Sequence, residues 1–338
     1  MIDLLVIGVA AVVFIGIAVV SWLATRIVLA YLERRAILDQ PNERSSHSRP
    51  TPRGGGLAVT AVLLLVGGAL AIHLPTARLE LSIVIGGMAA LALLSWLDDL
   101  MDLSAALRFS IHILVVVVAL TMLPADAQIF QGLLPPLLDR IAAGLLWIWF
   151  INLYNFMDGI DGITGVETMS IGLGLFALSL LLPGLLVLQG WLGLAAAGAA
   201  FGFLLWNWHP ARIFLGDVGS VPLGFLLGWL LLETAAAGHW APALILPLYY
   251  LADATLTLLR RAARGEKVWR AHREHFYQRP VLRGLPHNRI VWPIAGGNVL
   301  LVVLALAAAD GDLLPALAGA VVVVALLLAW LARAGRAR

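Results

Sequence analysis

Long apolar segments recur along the whole chain, separated by short polar breaks. Each is about as long as the roughly 20 residues that a helix needs to cross the hydrocarbon core of a bilayer. Several breaks contain proline or glycine, as at 74–76, 134–136 and 310–312, where helices tend to end. The pattern predicts eleven membrane-spanning helices, at 2–24, 57–74, 81–97, 107–123, 137–153, 163–182, 185–205, 219–237, 241–259, 290–309 and 313–332.

The composition agrees with a chain that lies mostly in a membrane. Of 338 residues, 61% are hydrophobic and 12% are charged, against about 25% charged residues in a typical soluble domain. We therefore predict an all-α, polytopic membrane helix bundle in which residues 1–338 form one integral membrane domain. The net charge of +2 does not indicate nucleic-acid binding, and the absence of cysteine excludes disulfides and cysteine-ligated metals. The first span lacks a basic segment before it, so we expect it to be retained rather than cleaved.

The basic residues are divided unequally between the two sides of the predicted bundle. When successive spans alternate in direction, 20 Lys and Arg fall on one side, and only Arg78 and Arg140 fall on the other. Cytoplasmic loops carry the excess of positive charge. The N-terminus is therefore predicted to be periplasmic and the C-terminus cytoplasmic. The cytoplasmic loops hold nearly all the unusual polar residues, at 32–56, 98–106, 152–165, 206–219 and 260–289.

Three acidic groups lie at the predicted cytoplasmic ends of helices. Asp98 and Asp99 end the third span, Asp158 and Asp161 lie in Asn-Leu-Tyr-Asn-Phe-Met-Asp-Gly-Ile-Asp-Gly, and Asp217 lies in Phe-Leu-Gly-Asp-Val-Gly-Ser. Acidic residues near membrane depth are costly and tend to be functional. Neighbouring carboxylates repel one another, and a divalent cation relieves the repulsion. Oxygen ligands without cysteine favour Mg²⁺, with Mn²⁺ as the alternative, and Mg²⁺ typically bridges to substrate phosphates.

Two basic loops lie on the same predicted side as the acidic groups. The first contains His47 and Arg49 ahead of Thr-Pro-Arg-Gly-Gly-Gly, and the last contains His272, Arg273 and His275. Guanidinium groups bind phosphate through paired hydrogen bonds, and histidine adds donors that can be protonated near neutral pH. Cytoplasmic arginines also set topology and contact anionic lipids, which is the role expected of the arginines ahead of the last group.

Together these motifs resemble the polyprenyl-phosphate N-acetylhexosamine-1-phosphate transferase superfamily, of the bacterial glycosyltransferase family 4 type. The resemblance runs from about Asp39 to Arg289 and covers five motifs in order: Thr-Pro-Arg-Gly-Gly-Gly, Asp-Asp, Asn-x-x-Asn-x-x-Asp-Gly-Ile-Asp-Gly, Phe-Leu-Gly-Asp-x-Gly-Ser and the terminal histidine loop. It implies a Mg²⁺-dependent enzyme of the bacterial inner membrane with a cytoplasmic active site. Such an enzyme transfers a sugar-1-phosphate from a UDP-N-acetylhexosamine to undecaprenyl phosphate and releases UMP.

The resemblance implies a catalytic group around the metal. Asp217 and Asp99 would be metal ligands, and Asp98 and Asp99 would handle the lipid phosphate. Asp158 would act with them and, together with Asn155, would shape the diphosphate site. Because a lipid phosphate is already mostly ionised near neutral pH, we expect Asp98 to position it rather than to act as a strong base.

The donor would bind beside this group. Phe214 would stack on uracil, and Asp161 and Asn207 would hydrogen-bond it. The implied nucleotide-binding residues are Asn155, Asp161, Asn207 and Phe214. The residues implied to contact the sugar and diphosphate are His47, Arg49, His272, Arg273 and His275.

The last motif departs from that of the phospho-N-acetylmuramoyl-pentapeptide transferases, which belong to the same superfamily. Those enzymes have three adjacent histidines there, whereas this chain has His-Arg-Glu-His at 272–275. The difference favours the subgroup that initiates O-antigen, a part of lipopolysaccharide, or a related cell-surface polysaccharide. The sequence leaves open which UDP-sugar and polyprenol are used, whether the protein is a homodimer, and whether attack is direct or passes through a phospho-aspartate.

Two other classes of function compete with a transferase. A secondary transporter of an anionic solute would explain the helices and basic residues, but it predicts charges at mid-depth in the membrane, where Asp253 is the one clear carboxylate. An intramembrane aspartyl protease would explain Gly216-Asp217, but it leaves the basic loops and Asn155 without a role.

Overall fold

The computed structural model describes residues 4–40, 50–182, 186–267 and 272–335. Within these ranges the chain forms thirteen helices and one antiparallel two-stranded sheet. The helices are α1 (Leu4–Arg34), α2 (Gly56–His73), α3 (Arg78–Met101), α4 (Ala105–Leu120), α5 (Pro136–Phe156), α6 (Ile163–Leu181), α7 (Val187–Asn207), α8 (Asp217–Ala236), α9 (Trp240–Ile245), α10 (Leu248–Ala263), α11 (Gln278–Leu282), α12 (His287–Ala309) and α13 (Leu313–Arg333). The strands are β1 (Leu38–Asp39) and β2 (Thr51–Pro52).

The helices confirm a multi-pass membrane protein. In the described ranges, nine are long and apolar enough to cross a bilayer: α1, α2, α3, α5, α6, α7, α8, α12 and α13. Many large apolar side chains on the outer helices are exposed, as expected of surfaces that face lipid rather than water. Helix α4 is apolar but has 16 residues. The count of eleven spans and the sides assigned to the two termini therefore stay predictions.

The predicted span at 241–259 is wrong as a single helix. The chain forms the six-residue α9, breaks at Leu246 and Pro247, and continues as the 16-residue α10. Proline has no backbone N–H to donate and disfavours helical geometry in the residue before it, which explains the break. Helix α10 is amphipathic, and its polar side contains the buried side chains of Asp253 and Arg261. This side packs under the last polar loop instead of facing lipid.

Helices α7 and α8 lie at the centre of the bundle. Nearly all of α8 is buried, and the small residues of α7 allow its neighbours to approach closely. A Cβ atom on Gly172 of α6 would lie 2.2 Å from the carbonyl oxygen of Gly193, and one on Gly202 would lie 2.1 Å from that of Ala18 in α1. Small residues permit such contacts between membrane helices. This packing fixes the position of the first residue of α8, which is Asp217.

Candidate active site

The first polar loop is bound to the segment that precedes α8. Gly54 N–H donates to the carbonyl of Phe214 at 3.1 Å, and Phe214 N–H donates to the carbonyl of Pro52 at 2.8 Å. Residues 51–56 therefore run beside 213–216 through main-chain hydrogen bonds. The two motifs that the sequence placed far apart form one continuous piece of backbone structure.

The glycines of this loop are required by a close backbone contact. A Cβ atom on Gly56 would lie 2.3 Å from the Cα atom of Gly219, and one on Gly55 would lie 2.5 Å from the ring of Phe203. No side chain fits at either position without displacing its neighbour. The contact brings Arg53 to the first turn of α8, so these glycines assemble the site rather than making the loop flexible.

An acidic cleft lies where α3, the first polar loop and α8 meet. The charged residues that line it are Arg53, Asp98, Asp99, Asp102, Arg108 and Asp217. Asp217 Oδ1 accepts a hydrogen bond from Arg53 at 2.5 Å, and Asp98 forms an ion pair with Arg108. Asp217 Oδ2 accepts a second hydrogen bond, from the side-chain amide of Asn155, at 3.2 Å. Asp98, Asp99 and Asp217 thus share one cleft, next to Asn155.

The donor set of the acidic cleft fits a magnesium ion. The candidate ligand atoms are carboxylate oxygens, which Mg²⁺ prefers. Among the described residues of the lining, four carboxylates face two guanidinium groups, which leaves an excess of two negative charges. Burial alone would lower the pKa of Arg53, but attraction by Asp217, Asp99 and Asp39 raises it above its ordinary value. This shift reflects the negative field that a divalent cation would neutralise.

A second cleft, which we call the donor cleft, lies beside the acidic one and has a volume of about 1070 Å³. Its lining includes Asp161, His209, Phe214, Arg273, Gln278 and His287. Phe214 lies in the donor cleft and Asp217, three positions later in the chain, lies in the acidic cleft. The two clefts therefore meet at this segment.

Asp158 lies in the connection between α5 and α6. Its side chain is partly exposed but largely enclosed by protein, and this loss of solvation raises its pKa to about 6, against the opposing effect of a hydrogen bond with Thr164. Asp158 also interacts electrostatically with Asp217 and Arg53 on one side and Asp161 on the other. It is therefore a carboxylate between the two clefts that changes charge near physiological pH.

Asn207 holds the backbone beneath the donor cleft. Its Oδ1 atom accepts from Gly162 N–H at 2.8 Å, and its Nδ2 atom donates to the carbonyl of Ile213 at 2.9 Å. The side chain is buried. Both ends of the amide are thus used to join the segment 207–213 to the start of α6. Its predicted hydrogen bond to uracil stays a prediction.

Asp161 is surrounded by protein donors. Its Oδ2 atom lies 2.6 Å from His209 Nδ1, 3.1 Å from His287 Nδ1 and 3.2 Å from the N–H of Ala211. Burial alone would raise the pKa of Asp161, but hydrogen bonds with His287, His209 and Ala211 lower it below its ordinary value. The carboxylate is therefore ionised at neutral pH and anchors two histidines.

The trio of Asp161, His209 and His287 has the residue types of a metal site, and its ligand atoms lie within 4.8 Å of one another. However, two ligands of a tetrahedral zinc ion with bonds of about 2.0–2.1 Å lie roughly 3.3 Å apart. The 2.6 Å between His209 Nδ1 and Asp161 Oδ2 is a hydrogen-bond distance instead. The sequence analysis did not single out either histidine, although His209 lies between two residues that it did select.

The last polar loop is fixed by Asp253 of α10. The buried carboxylate of Asp253 accepts from the N–H groups of Phe276 and Tyr277 at 2.8 and 3.1 Å. The loop is held further by Arg261, which forms an ion pair with Glu274. Asp253 thus has protein partners that account for its burial without a transported solute.

The four-residue group of this loop divides in space. Arg273 lines the donor cleft, whereas His275 is buried beside Asp253. Burial, with the nearby charges of His275 and Arg261, lowers the pKa of His272 to about 4. His272 is therefore neutral at physiological pH. His47 and Arg49 lie outside the described residues.

Comparison with known proteins identifies the family of the chain. Residues 81–235 match the family model described as glycosyl transferase family 4. Over 289 residues the chain is 31% identical to the probable undecaprenyl-phosphate N-acetylglucosaminyl 1-phosphate transferase of Bacillus subtilis, covering 81% of this chain and 78% of that protein. It is 29% identical over 317 residues to the decaprenyl-phosphate N-acetylglucosaminephosphotransferase of Mycolicibacterium smegmatis, covering 81% and 76%.

A further relative is a phospho-N-acetylmuramoyl-pentapeptide-transferase of Moorella thermoacetica, 32% identical over 167 residues that cover 46% of this chain and 48% of that protein. The family match and these relatives show a membrane-embedded enzyme of the phosphotransferase class, in agreement with the helical membrane bundle. Within that class, the chain belongs to glycosyl transferase family 4, as the resemblance in its motifs predicted.

Proposed function

We propose that this enzyme transfers a sugar-1-phosphate from a UDP-N-acetylhexosamine to undecaprenyl phosphate at the cytoplasmic face of the bacterial inner membrane. The products are undecaprenyl-diphosphate-sugar and UMP, and the lipid product begins O-antigen or a related cell-surface polysaccharide. Two relatives that match about four-fifths of the chain are named as transferases of N-acetylglucosamine phosphate to polyprenyl phosphates. N-Acetylglucosamine is therefore the first donor sugar to test.

One observation carries this proposal, namely that the two clefts share the segment 214–217. Phe214 offers an aromatic face to a base, and Arg273 offers a cation to a phosphate in the same cleft. Asp217 begins the adjacent cleft, where carboxylates outnumber guanidinium groups. A nucleotide-sugar that lies across this segment has its diphosphate beside the acidic cleft. This arrangement suits phosphoryl transfer, in which positioning and charge neutralisation dominate.

The reaction conserves the sugar's anomeric centre. An oxygen of the lipid phosphate attacks the sugar-bearing phosphorus of the donor, the bond from that phosphorus to the oxygen bridging it to UMP breaks, and UMP leaves. Asp217 and Asp99 would hold Mg²⁺, which would neutralise charge on the phosphates. Asn155 orients the Asp217 carboxylate through its hydrogen bond. Asp98 forms an ion pair with Arg108, whose side chain is 40% exposed and would bind the lipid phosphate.

The test is UMP release by the purified protein with undecaprenyl phosphate, Mg²⁺ and a panel of UDP-N-acetylhexosamines. We expect release only when lipid and metal are both present. Asp217→Asn and Asp99→Asn should each lower kcat at least 100-fold, because each removes a ligand of the cation that neutralises the reacting phosphates. Asp310→Asn, at an exposed carboxylate between α12 and α13, is the matched control and should retain full activity. UMP release that needs no lipid, or that survives both substitutions, would contradict the proposal.

A further inference from the structure

We propose that His209 determines which base the donor cleft accepts, and that Asp161 acts through His209 as a positioning residue rather than by touching the base. This inference rests on the proposed function, since it assumes a nucleotide-sugar donor. It assigns a role to a residue that none of the sequence motifs singled out.

The His209 ring is anchored by Asp161. Its Nδ1 atom lies 2.6 Å from Asp161 Oδ2, and the N–H of Ala211 donates to the same oxygen at 3.2 Å. The carboxylate is nearly buried, whereas the side chain of His209 is 30% exposed. The ring is therefore fixed at its Nδ1 edge by Asp161 and packs against the ring of His287, while its exposed part lines the donor cleft.

The hydrogen bond at Nδ1 also determines the role of the other ring nitrogen, Nε2. The ionised carboxylate of Asp161 requires a donor, so Nδ1 carries a proton. We assign the ring the form that has its one proton on Nδ1 and none on Nε2. In a neutral imidazole with the proton on Nδ1, Nε2 is an acceptor, and the partner of one nitrogen sets the role of the other. His209 thus presents a hydrogen-bond acceptor to the cleft.

This acceptor is held rigidly. Asn207 holds the segment that contains His209. Its side chain accepts from the N–H of Gly162 and donates to the carbonyl of Ile213. Phe214, at the end of the same segment, lies in the same cleft. A base stacked on Phe214 therefore meets the imidazole of His209. The position of this ring is set by the anchored backbone segment and by the hydrogen bond to Asp161.

The acceptor also determines the choice of base. Uracil carries a hydrogen on N3 and donates it, whereas the N3 atom of cytosine carries a lone pair and accepts. A fixed acceptor therefore binds the Watson–Crick edge of uracil and is left opposite another acceptor when cytosine binds. A site built around a substrate N–H discriminates against the analogue that lacks it, because buried polar groups are then unpaired.

The experiment measures dissociation constants of UMP and CMP for the purified protein with Mg²⁺, by calorimetry. We expect wild type to bind UMP more tightly than CMP. His209→Phe keeps an aromatic ring but removes the acceptor, and it should weaken UMP binding by about tenfold with CMP binding nearly unchanged. His239→Phe, at a partly buried histidine that adjoins α9, is the matched control and should leave both constants unchanged.

Asp161→Asn tests the positioning role. It should reduce the UMP-to-CMP preference in the wild-type background and have no further effect on that preference in His209→Phe, because both substitutions then remove the same acceptor. A general loosening of the fold would not change the ratio of the two constants in this coupled manner.

Four results would overturn the inference. Equal weakening of UMP and CMP by His209→Phe would show a structural role only, and no change would show no role. Additive losses in the double variant would show that Asp161 contacts the base itself. A wild-type protein that binds neither nucleotide would overturn the proposed function as well. If wild type releases UMP from a UDP-sugar, the first three results overturn the inference alone.

Discussion

The acidic cleft and the donor cleft are built in opposite ways. In the acidic cleft, charged side chains face the cavity directly and outnumber their protein partners. At the donor cleft, Asp161 in the lining and Asn207 behind it are buried, and their side chains bond to neighbouring protein groups. The first cleft keeps unneutralised charge for a ligand, whereas the second uses its polar residues to hold the surface that a ligand meets. Motif residues that look equally important in the sequence therefore differ in role. Some face the ligand, and others hold the surface that the ligand meets.

The largest loss of activity should come from disrupting the close contact between the first polar loop and α8, where the two clefts meet. Gly56→Ala places a methyl group against the backbone of Gly219, and overpacking of this kind costs about 1–3 kcal/mol. We expect a drop in Tm and at least a 100-fold loss of UMP release, since both clefts shift. Gly68→Ala is the control within the same helix, because nothing lies within 4 Å of its new methyl group. Equal behaviour of the two variants would show that the clefts do not depend on this contact.

The next effect separates the clefts by substrate. Asp98→Asn weakens the ion pair with Arg108, so we expect the KM for undecaprenyl phosphate to rise by roughly tenfold while the KM for the nucleotide-sugar stays the same. Initial rates measured over a grid of both substrates give the two constants. A rise in the KM for the donor instead would mean that the lipid phosphate does not bind at Asp98.

A smaller effect is expected at the wall of the donor cleft. Asp253→Asn removes the charge that accepts two backbone N–H groups of the last loop, a loss of about 1–3 kcal/mol. The loop that contains Arg273 should loosen, so the KM for the donor should rise several-fold with the KM for the lipid unchanged. Limited proteolysis should cut this loop faster in the variant. An unchanged cutting rate would contradict the anchoring role of Asp253.

The smallest effect concerns stability and its dependence on pH. The pKa of Asp158 is raised from 3.8 to about 6, so the folded protein binds this proton more tightly than the unfolded chain. Wild type should therefore lose stability relative to Asp158→Asn as pH rises from about 4 to 6. Because Asp158 is partly exposed, the difference at pH 8 should be about 1–2 kcal/mol. Thermal unfolding in detergent at pH 4.5 and pH 8 measures it, and a difference that does not vary with pH would argue against the raised pKa.

The bundle could be predicted from the sequence because length and hydrophobicity alone define a spanning helix. The break at Leu246 and Pro247 was missed since the apolar pattern continues through it, and membrane helices tolerate proline when their neighbours satisfy the freed backbone groups. The proline was a visible signal, but only the packing of α10 under the last loop decides that the helix ends there.

Within the site, the sequence predicted which segments converge but not which side chains reach the cavity. Asp217 and Asp99 lie in the acidic cleft as expected, whereas His275 is buried against Asp253. The direction of a side chain in an irregular loop depends on partners from other helices, and no periodicity records those partners. His209 illustrates the same limit, because its importance follows from its hydrogen bond to Asp161, 48 positions away.

The hydrogen bond between Arg53 and Asp217 joins residues 164 positions apart. When α1 to α7 have been inserted into the membrane, the first polar loop and the acidic end of α3 are already present. The acidic cleft still lacks Asp217. Closing so long a segment of chain is slow compared with forming local helices. The acidic cleft is therefore complete only after α8 has been inserted. A chain whose synthesis stops before that point has no catalytic activity.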